Sequence, residues 1–256
     1  MKTLSFISQI FPVVIGLSVF TAIKKNRNES LLVFLYCLLS LVFEVIEKLL
    51  FKLNGSHNIF LFHLFTLFEF QILIIVLFRF SSIKWKMKFG IAVSAAFFVI
   101  WVILKIFIEP FNEFDKYSSL LSSMTLATFS YADLLQGVQK RKIEDQFNSR
   151  LWFLLSVFIY HSLNISSFLL FNQTIYEQIW LYHSAVNIVS QILLGIYFVK
   201  YYLETKQKEF VELRRKERVG KSLFLIDTLG LLNRKSSFVT KRIPQKILMQ
   251  IFSPGK

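Results

Sequence analysis

The stretch Ile179–Leu203 reads IWLYHSAVNIVSQILLGIYFVKYYL, and it decides the fold. It is long enough to cross a bilayer, since about 20 apolar residues rising about 1.5 Å each span the hydrocarbon layer. It is not uniformly apolar. At about 100° per residue, Trp180, His183, Ser184, Asn187, Ser190 and Gln191 fall on an arc roughly 120° wide. A helix polar on one arc and apolar elsewhere turns one side to lipid and the other to protein or water.

The rest of the chain repeats the theme. Of its 256 residues 54% are hydrophobic, and 30 are phenylalanine against eight glycines and four prolines. A soluble domain is nearer about 45–50% apolar and interrupts its apolar runs more often. Seven apolar segments stand out: Leu4–Ala22, Leu31–Leu50, Asn58–Phe80, Phe89–Ile108, Tyr117–Gly137, Leu151–Phe171 and Ile179–Leu203. The fifth is rich in serine and threonine, yet it has a spanning length, and Ser119 and Ser123 have the small-xxx-small spacing of close helix packing. The expected fold is therefore all-α, a polytopic membrane protein with seven transmembrane helices. The lone cysteine, Cys37, excludes an intrachain disulfide.

A net charge of +14 would point to nucleic acid in a soluble protein. Here it sorts by side, and no nucleic-acid partner is expected. All but five of the 30 basic residues (Lys2, Lys48, Lys52, Lys105 and Lys116) lie on alternate connections or beyond the last segment. The positive-inside rule then places the N-terminus outside and the C-terminus in the cytoplasm. It also requires the fifth segment to span. The first segment is read as a retained helix rather than a signal peptide, because Lys24, Lys25 and Arg27 follow it at once.

Residues 1–203 form the expected transmembrane domain and residues 204–256 a basic cytoplasmic tail. The tail begins as a helix over Glu204–Ser222, with Glu204/Lys208 and Glu212/Lys216 spaced to pair. Its Arg214, Arg215, Lys216 and Arg218 suit anionic lipid headgroups on the inner leaflet first, and a cytoplasmic protein partner as a second, compatible reading.

Ionisable groups inside a membrane are costly, so each is a candidate for function. Glu44 and Glu47 fall in the outer half of the second helix, His63 and Glu69 on one arc of the third with Thr66. His161 and Asn164 occupy the sixth helix, and His183, Asn187 and Gln191 the seventh. Helices 2, 3, 6 and 7 thus converge on an expected polar cavity in the outer half. Each residue also has a plainer reading. Glu44 can pair with Lys48, His63 and His183 can meet headgroups, and His161 and Asn164 can join helices by hydrogen bonds. Asp133 stands alone near the inner face, and Lys105 is expected to snorkel outward.

Two resemblances bear on this pattern. Glu44, the Asn58-Ile59…His63…Glu69 stretch and Trp180-Leu181-Tyr182-His183…Asn187 resemble a seven-helix membrane protein family of Bacteroidetes-type bacteria. That resemblance implies a bacterial inner (plasma) membrane and brings no activity with it. The chain is also similar to the alkaline ceramidase-like membrane hydrolases, which share seven helices, an outside N-terminus and a zinc held by three histidines. The hydrolase reading implies zinc on His63, His161 and His183, with Glu44 or Glu69 as base or ligand. The chain departs from that family where Asn187 replaces the second histidine of a His-xxx-His pair, and where Ile59 stands four before His63 in place of serine. A microbial rhodopsin would need a lysine deep in the last helix, and Lys200 lies at its end.

The expectation from sequence is a non-enzymatic, receptor-like or interaction protein without a cofactor, whose cavity residues are Glu44, His63, Glu69, His161, Asn164, His183, Asn187 and Gln191. The alternatives are a zinc-dependent lipid or amide hydrolase and a proton-coupled transporter using Glu69.

Overall fold

A chain crossing hydrocarbon must satisfy its own backbone groups, and long apolar runs poor in glycine and proline do so as helices. The computed structural model describes residues 2–23, 28–54, 58–80, 86–140, 148–169 and 176–235. Each apolar segment is a helix: α1 (Lys2–Ala22), α2 (Asn28–Asn54), α3 (Ile59–Phe80), α4 (Lys86–Phe107), α5 (Tyr117–Lys140), α6 (Ser149–Leu169) and α7 (Tyr176–Lys235). No strand occurs among the described residues. Among the described residues, five stretches are long and apolar enough to cross a membrane: Ser30–Leu53, Ile59–Phe80, Met87–Phe107, Ser149–Leu169 and Leu181–Arg215. The apolar part of α1, Phe6–Ala22, is shorter. The protein is a multi-pass helical membrane protein.

The polar fifth segment earns its place by packing. Ser118, Ser119, Ser122, Ser123 and Ser130 of α5 are buried, while Tyr117, Met124, Tyr131 and Leu135 face outward. Ser130 and Thr125 return their hydroxyls to carbonyls four residues back, Leu126 and Leu121. Small side chains on the inner face let α5 pack against α6, α3 and α4.

The contacts run α1 to α2, α2 to α3, α3 to α5 and α5 to α6. α7 joins the two ends. Ser190 meets Ser156 of α6 at 2.8 Å, and Gly195 and Phe198 pack against Phe11 and Gly16 of α1. α4 stands outside this circuit, against α3 and α5. Its tie to α3 is partly polar, since Gln71 donates to the Ser94 carbonyl at 3.1 Å and accepts from its hydroxyl.

The inner half of the bundle, by the charge pattern, is a dry aromatic core. Phe70, Leu73, Ile74 and Leu77 of α3 meet Phe153 of α6 and Leu194, Tyr197 and Phe198 of α7, all buried. Phe80 lies edge-on to Phe153 at 5.2 Å between centroids. Polar pairs close this end of the bundle. Asp133, expected alone, pairs with Arg150 of α6 at 3.3 Å. Glu204, expected to pair with Lys208, instead accepts from the Ser149 amide and hydroxyl at 2.6 and 2.9 Å. A carboxylate on the first amides of α6 is favoured by the helix dipole.

The chain divides into two units, Met1–Thr205 and Lys206–Lys256. In the second, helix continues beyond Ser222 through the short apolar run to Lys235. Lys206 pairs with Glu209 at 2.9 Å, and Arg214 stacks over Phe210 at 4.5 Å. Arg214 and Arg215 are exposed. The side chains of Lys216 and Arg218, and His57 in the α2–α3 connection, lie outside the described residues.

At Gly90, where α4 meets α3, a Cβ would stand 2.8 Å from Cβ of buried Phe78. That Phe78 atom is fixed to the backbone and cannot rotate away, so Gly90→Ala must separate the helices. The expected cost is about 1–3 kcal/mol, seen as a lower thermal unfolding midpoint in detergent. An unchanged midpoint would contradict the close α3–α4 approach.

Candidate functional site

In the outer half the core opens into a cavity of about 300 Å³. The wall takes residues from every helix except α4. Gln9 comes from α1; Tyr36, Ser40, Glu44, Glu47 and Lys48 from α2; Thr66 and Glu69 from α3. The serines Ser119, Ser122 and Ser123 come from α5, Tyr160, Asn164 and Ser167 from α6, and His183, Ser184 and Asn187 from α7. Phe43, Phe51, Phe62, Phe65, Phe114 and Phe168 complete it, so the lining is aromatic as well as polar.

The polar wall follows from helical period. Glu69 lies three residues after Thr66, and Asn187 four after His183, so each pair shares a helix face. Tyr36 donates its hydroxyl to Glu69 Oε1 at 3.1 Å. Among the described residues no basic side chain lies within ion-pair distance of Glu69. Glu44 does pair with Lys48, at 3.2 Å and in partial contact with solvent. His183 Nδ1 faces Asn164 Oδ1 at 2.9 Å, an acceptor, so this nitrogen carries hydrogen. Gln191 donates to Asn187 Oδ1 at 3.2 Å from one turn deeper.

Five of the eight candidates, Glu44, Glu69, Asn164, His183 and Asn187, therefore share one wall. Gln191 stands behind Asn187. His161 is buried behind Ser123, its Nδ1 3.4 Å from the hydroxyl. His63 is engaged elsewhere. Its Nε2 lies 2.9 Å from the Glu113 carbonyl and its Nδ1 3.3 Å from Asp115 Oδ1. The three histidines assigned to a shared zinc consequently have three separate settings. The grouping of metal-capable ligands among the described residues is His63, Glu109 and Asp115, with ligand atoms within 4.8 Å of one another. Lys105 already supplies the cation there.

Lys105 corrects the sequence reading most. It does not snorkel but is buried, its ammonium 2.9 Å from Glu109 Oε2, 2.7 Å from Asp115 Oδ1 and 2.7 Å from Ser118 Oγ. Three acceptors match the three donors of an ammonium. Glu109 also accepts from the Tyr117 and Ser118 amides at 2.6 and 3.2 Å, at the start of α5. Burial raises the Asp115 carboxyl, but hydrogen bonds from His63, Lys105, Ser118 and Thr66 outweigh it and hold the group well below the usual carboxylate range. Phe111 packs against His63, Trp101 and Phe60, and Phe114 against Phe168. The α4–α5 connection is thereby fixed beside the cavity, which Phe114 and Asp115 both line. The sequence signal was the i,i+4 spacing of Lys105 and Glu109.

No family model, curated protein or solved structure matches this chain.

Removing one partner of a buried ion pair leaves an uncompensated charge. Lys105→Met is expected to cost about 3–5 kcal/mol, read as a fall in the thermal midpoint. Lys105→Met combined with Glu109→Gln and Asp115→Asn should recover part of that loss. Asp115 contributes stability that is fully present above its unfolded value of about 3.9 and lost as pH falls toward its lower folded value. The midpoint gap between wild type and Asp115→Asn should therefore narrow as pH drops below about 4. A gap independent of pH would contradict the ionised Asp115.

Proposed function

We propose that this protein is a receptor-like membrane protein that binds a small molecule in the outer-half cavity and serves a partner or the membrane surface through its basic tail. The observation that carries the reading is the cavity itself. Its volume of about 300 Å³ is at the lower end of the range for ligand sites, about 300–1,000 Å³. Its walls combine aromatic surface with polar atoms that the protein leaves unpaired. Gln9 Oε1, Ser122 Oγ and Ser167 Oγ are buried with no hydrogen-bond partner among the described residues, and all three residues line it. Leaving such groups unmatched costs about 1–3 kcal/mol each, which a hydrogen-bonding ligand or water offsets.

Below the cavity, Phe70, Phe153, Tyr197 and Phe198 fill the inner half and are almost fully buried. That packing supports binding over conduction. α7 supports a link to the tail, because it supplies His183, Ser184 and Asn187 to the cavity and also carries the basic residues Arg214 and Arg215. The basic tail is suited to anionic headgroups of a cytoplasmic leaflet, such as that of a bacterial inner membrane.

Ser122→Trp places an indole in the cavity from a buried wall position. A thermal-shift screen of water-soluble amines, alcohols and acids should find stabilising ligands for the wild type and none for this variant. Ligands that stabilise both equally, or a wild type that responds to none, would overturn the reading.

A further inference from the structure

The charges around the cavity are unequally matched. Glu44 has Lys48, and Asp115 has Lys105 behind it. Glu69 is 6% exposed, lines the cavity, and has a phenol hydroxyl at 3.1 Å where the others have an ammonium. A carboxylate within the membrane requires a counter-charge or a proton. The second observation is independent of charge. Gln9 Oε1, an acceptor, is buried in the same wall without a donor among the described residues. Both groups call for a hydrogen-bond donor. The third is the aromatic surface, where Phe43, Phe62 and Phe65 line the same space with the negative faces that attract cations.

We propose that the cavity selects an organic cation, a protonated amine whose head pairs with Glu69 and whose short apolar or aromatic body lies against the phenylalanines. This rests on the cavity being a ligand site. A volume of about 300 Å³ fits a single ring or a short chain rather than a two-chain aminolipid, so the source is a free amine. The lining holds four acids, Glu44, Glu47, Glu69 and Asp115, against Lys48 in the wall and Lys105 behind it, and this surplus of acidic groups disfavours carboxylates and phosphates.

The test compares 4-phenylbutylamine, 4-phenylbutanol and 4-phenylbutyrate, near-equal in shape and different in charge, binding to the full chain in maltoside micelles at neutral pH. The amine should bind about 10- to 100-fold more tightly than the alcohol, and the acid most weakly. Glu69→Gln should abolish the amine preference while leaving alcohol affinity within about threefold. Tyr36→Phe, which keeps the carboxylate, should retain the preference. Equal binding of amine and alcohol to the wild type overturns the cation proposal and leaves the cavity reading standing, with Glu69 holding a proton; that comparison needs no variant. A preference that survives Glu69→Gln overturns Glu69 as the counter-ion. If none of the three binds, both readings fall.

Discussion

A polar side chain inside hydrocarbon has no water to turn to, and this one constraint arranges the bundle. Every helix of the circuit carries polar groups, and the structure turns them inward or to one another. Ser156 meets Ser190, Thr66 meets Ser119 at 3.1 Å, and Gln71 meets Ser94. Single bonds of this kind contribute only about 0.6 kcal/mol on average within membranes. Their larger effect is on register, because a helix that rotates or slides strands both partners. The apolar side chains, by contrast, are interchangeable between lipid and protein. Ile91, Val99 and Ile103 of α4 and Leu181 and Ile192 of α7 remain exposed on the surface, where lipid covers them at no cost. The polar residues therefore specify which faces meet, and the phenylalanines fill the space that results.

That sorting is uneven along the membrane normal. Among the described residues, the polar groups of the inner half are few and paired, in the Asp133–Arg150, Ser149–Glu204 and Ser156–Ser190 contacts, and the rest of its core is aromatic. The outer half holds more polar groups than direct pairing can satisfy, so the helices leave room between them. The cavity is the geometric consequence. A pair of serines can be brought into contact by small residues on both helices, but Glu44, Glu69, Asn164 and Asn187 carry more polar atoms than a dry core can match or lipid can accept.

How far the sequence reveals this depends on the range of the interaction. Helix existence and the inward arc of α7 follow from local composition, and they are legible. So is the inward face of α3, because His63, Thr66 and Glu69 share an arc whatever surrounds it. What an arc does not contain is depth or partner. His63, His161 and His183 lie on three polar arcs, yet they settle on Asp115, Ser123 and Asn164 respectively. Lys105 and Asp133 were misread for a related reason. The expectation of a snorkelling lysine and a solitary aspartate considers each residue on its own helix. Asp115 reaches Lys105 from a connection, and Arg150 reaches Asp133 from α6, so their partners are fixed only by packing. Glu204 shows the limit of the i,i+4 rule itself. A local lysine offers a solvated pair worth a few tenths of a kcal/mol, and the amide end of α6 offers two directed hydrogen bonds.

The Lys105 cluster then explains why the cavity can carry an acid without a basic partner among the described residues. Two of the buried acids near the outer end, Glu109 and Asp115, are consumed by one ammonium, one imidazole and the first amides of α5. Those contacts anchor the α4–α5 connection at both ends, through α4 and through α3, and position Phe114 at the cavity wall. A wall held this firmly cannot collapse onto Glu69, nor can it deliver Lys105 to it without breaking three acceptor contacts. Glu69 is therefore kept from the nearest strong cation by the stability of that cation's own site. The separation is one of energy rather than of distance alone. A bundle that needed Glu69 only for packing would be served as well by glutamine, which keeps the Tyr36 hydrogen bond and removes the charge. Retaining an acid there sets the cavity apart from the Lys105 and Asp133 sites, where the buried charges have their counterparts.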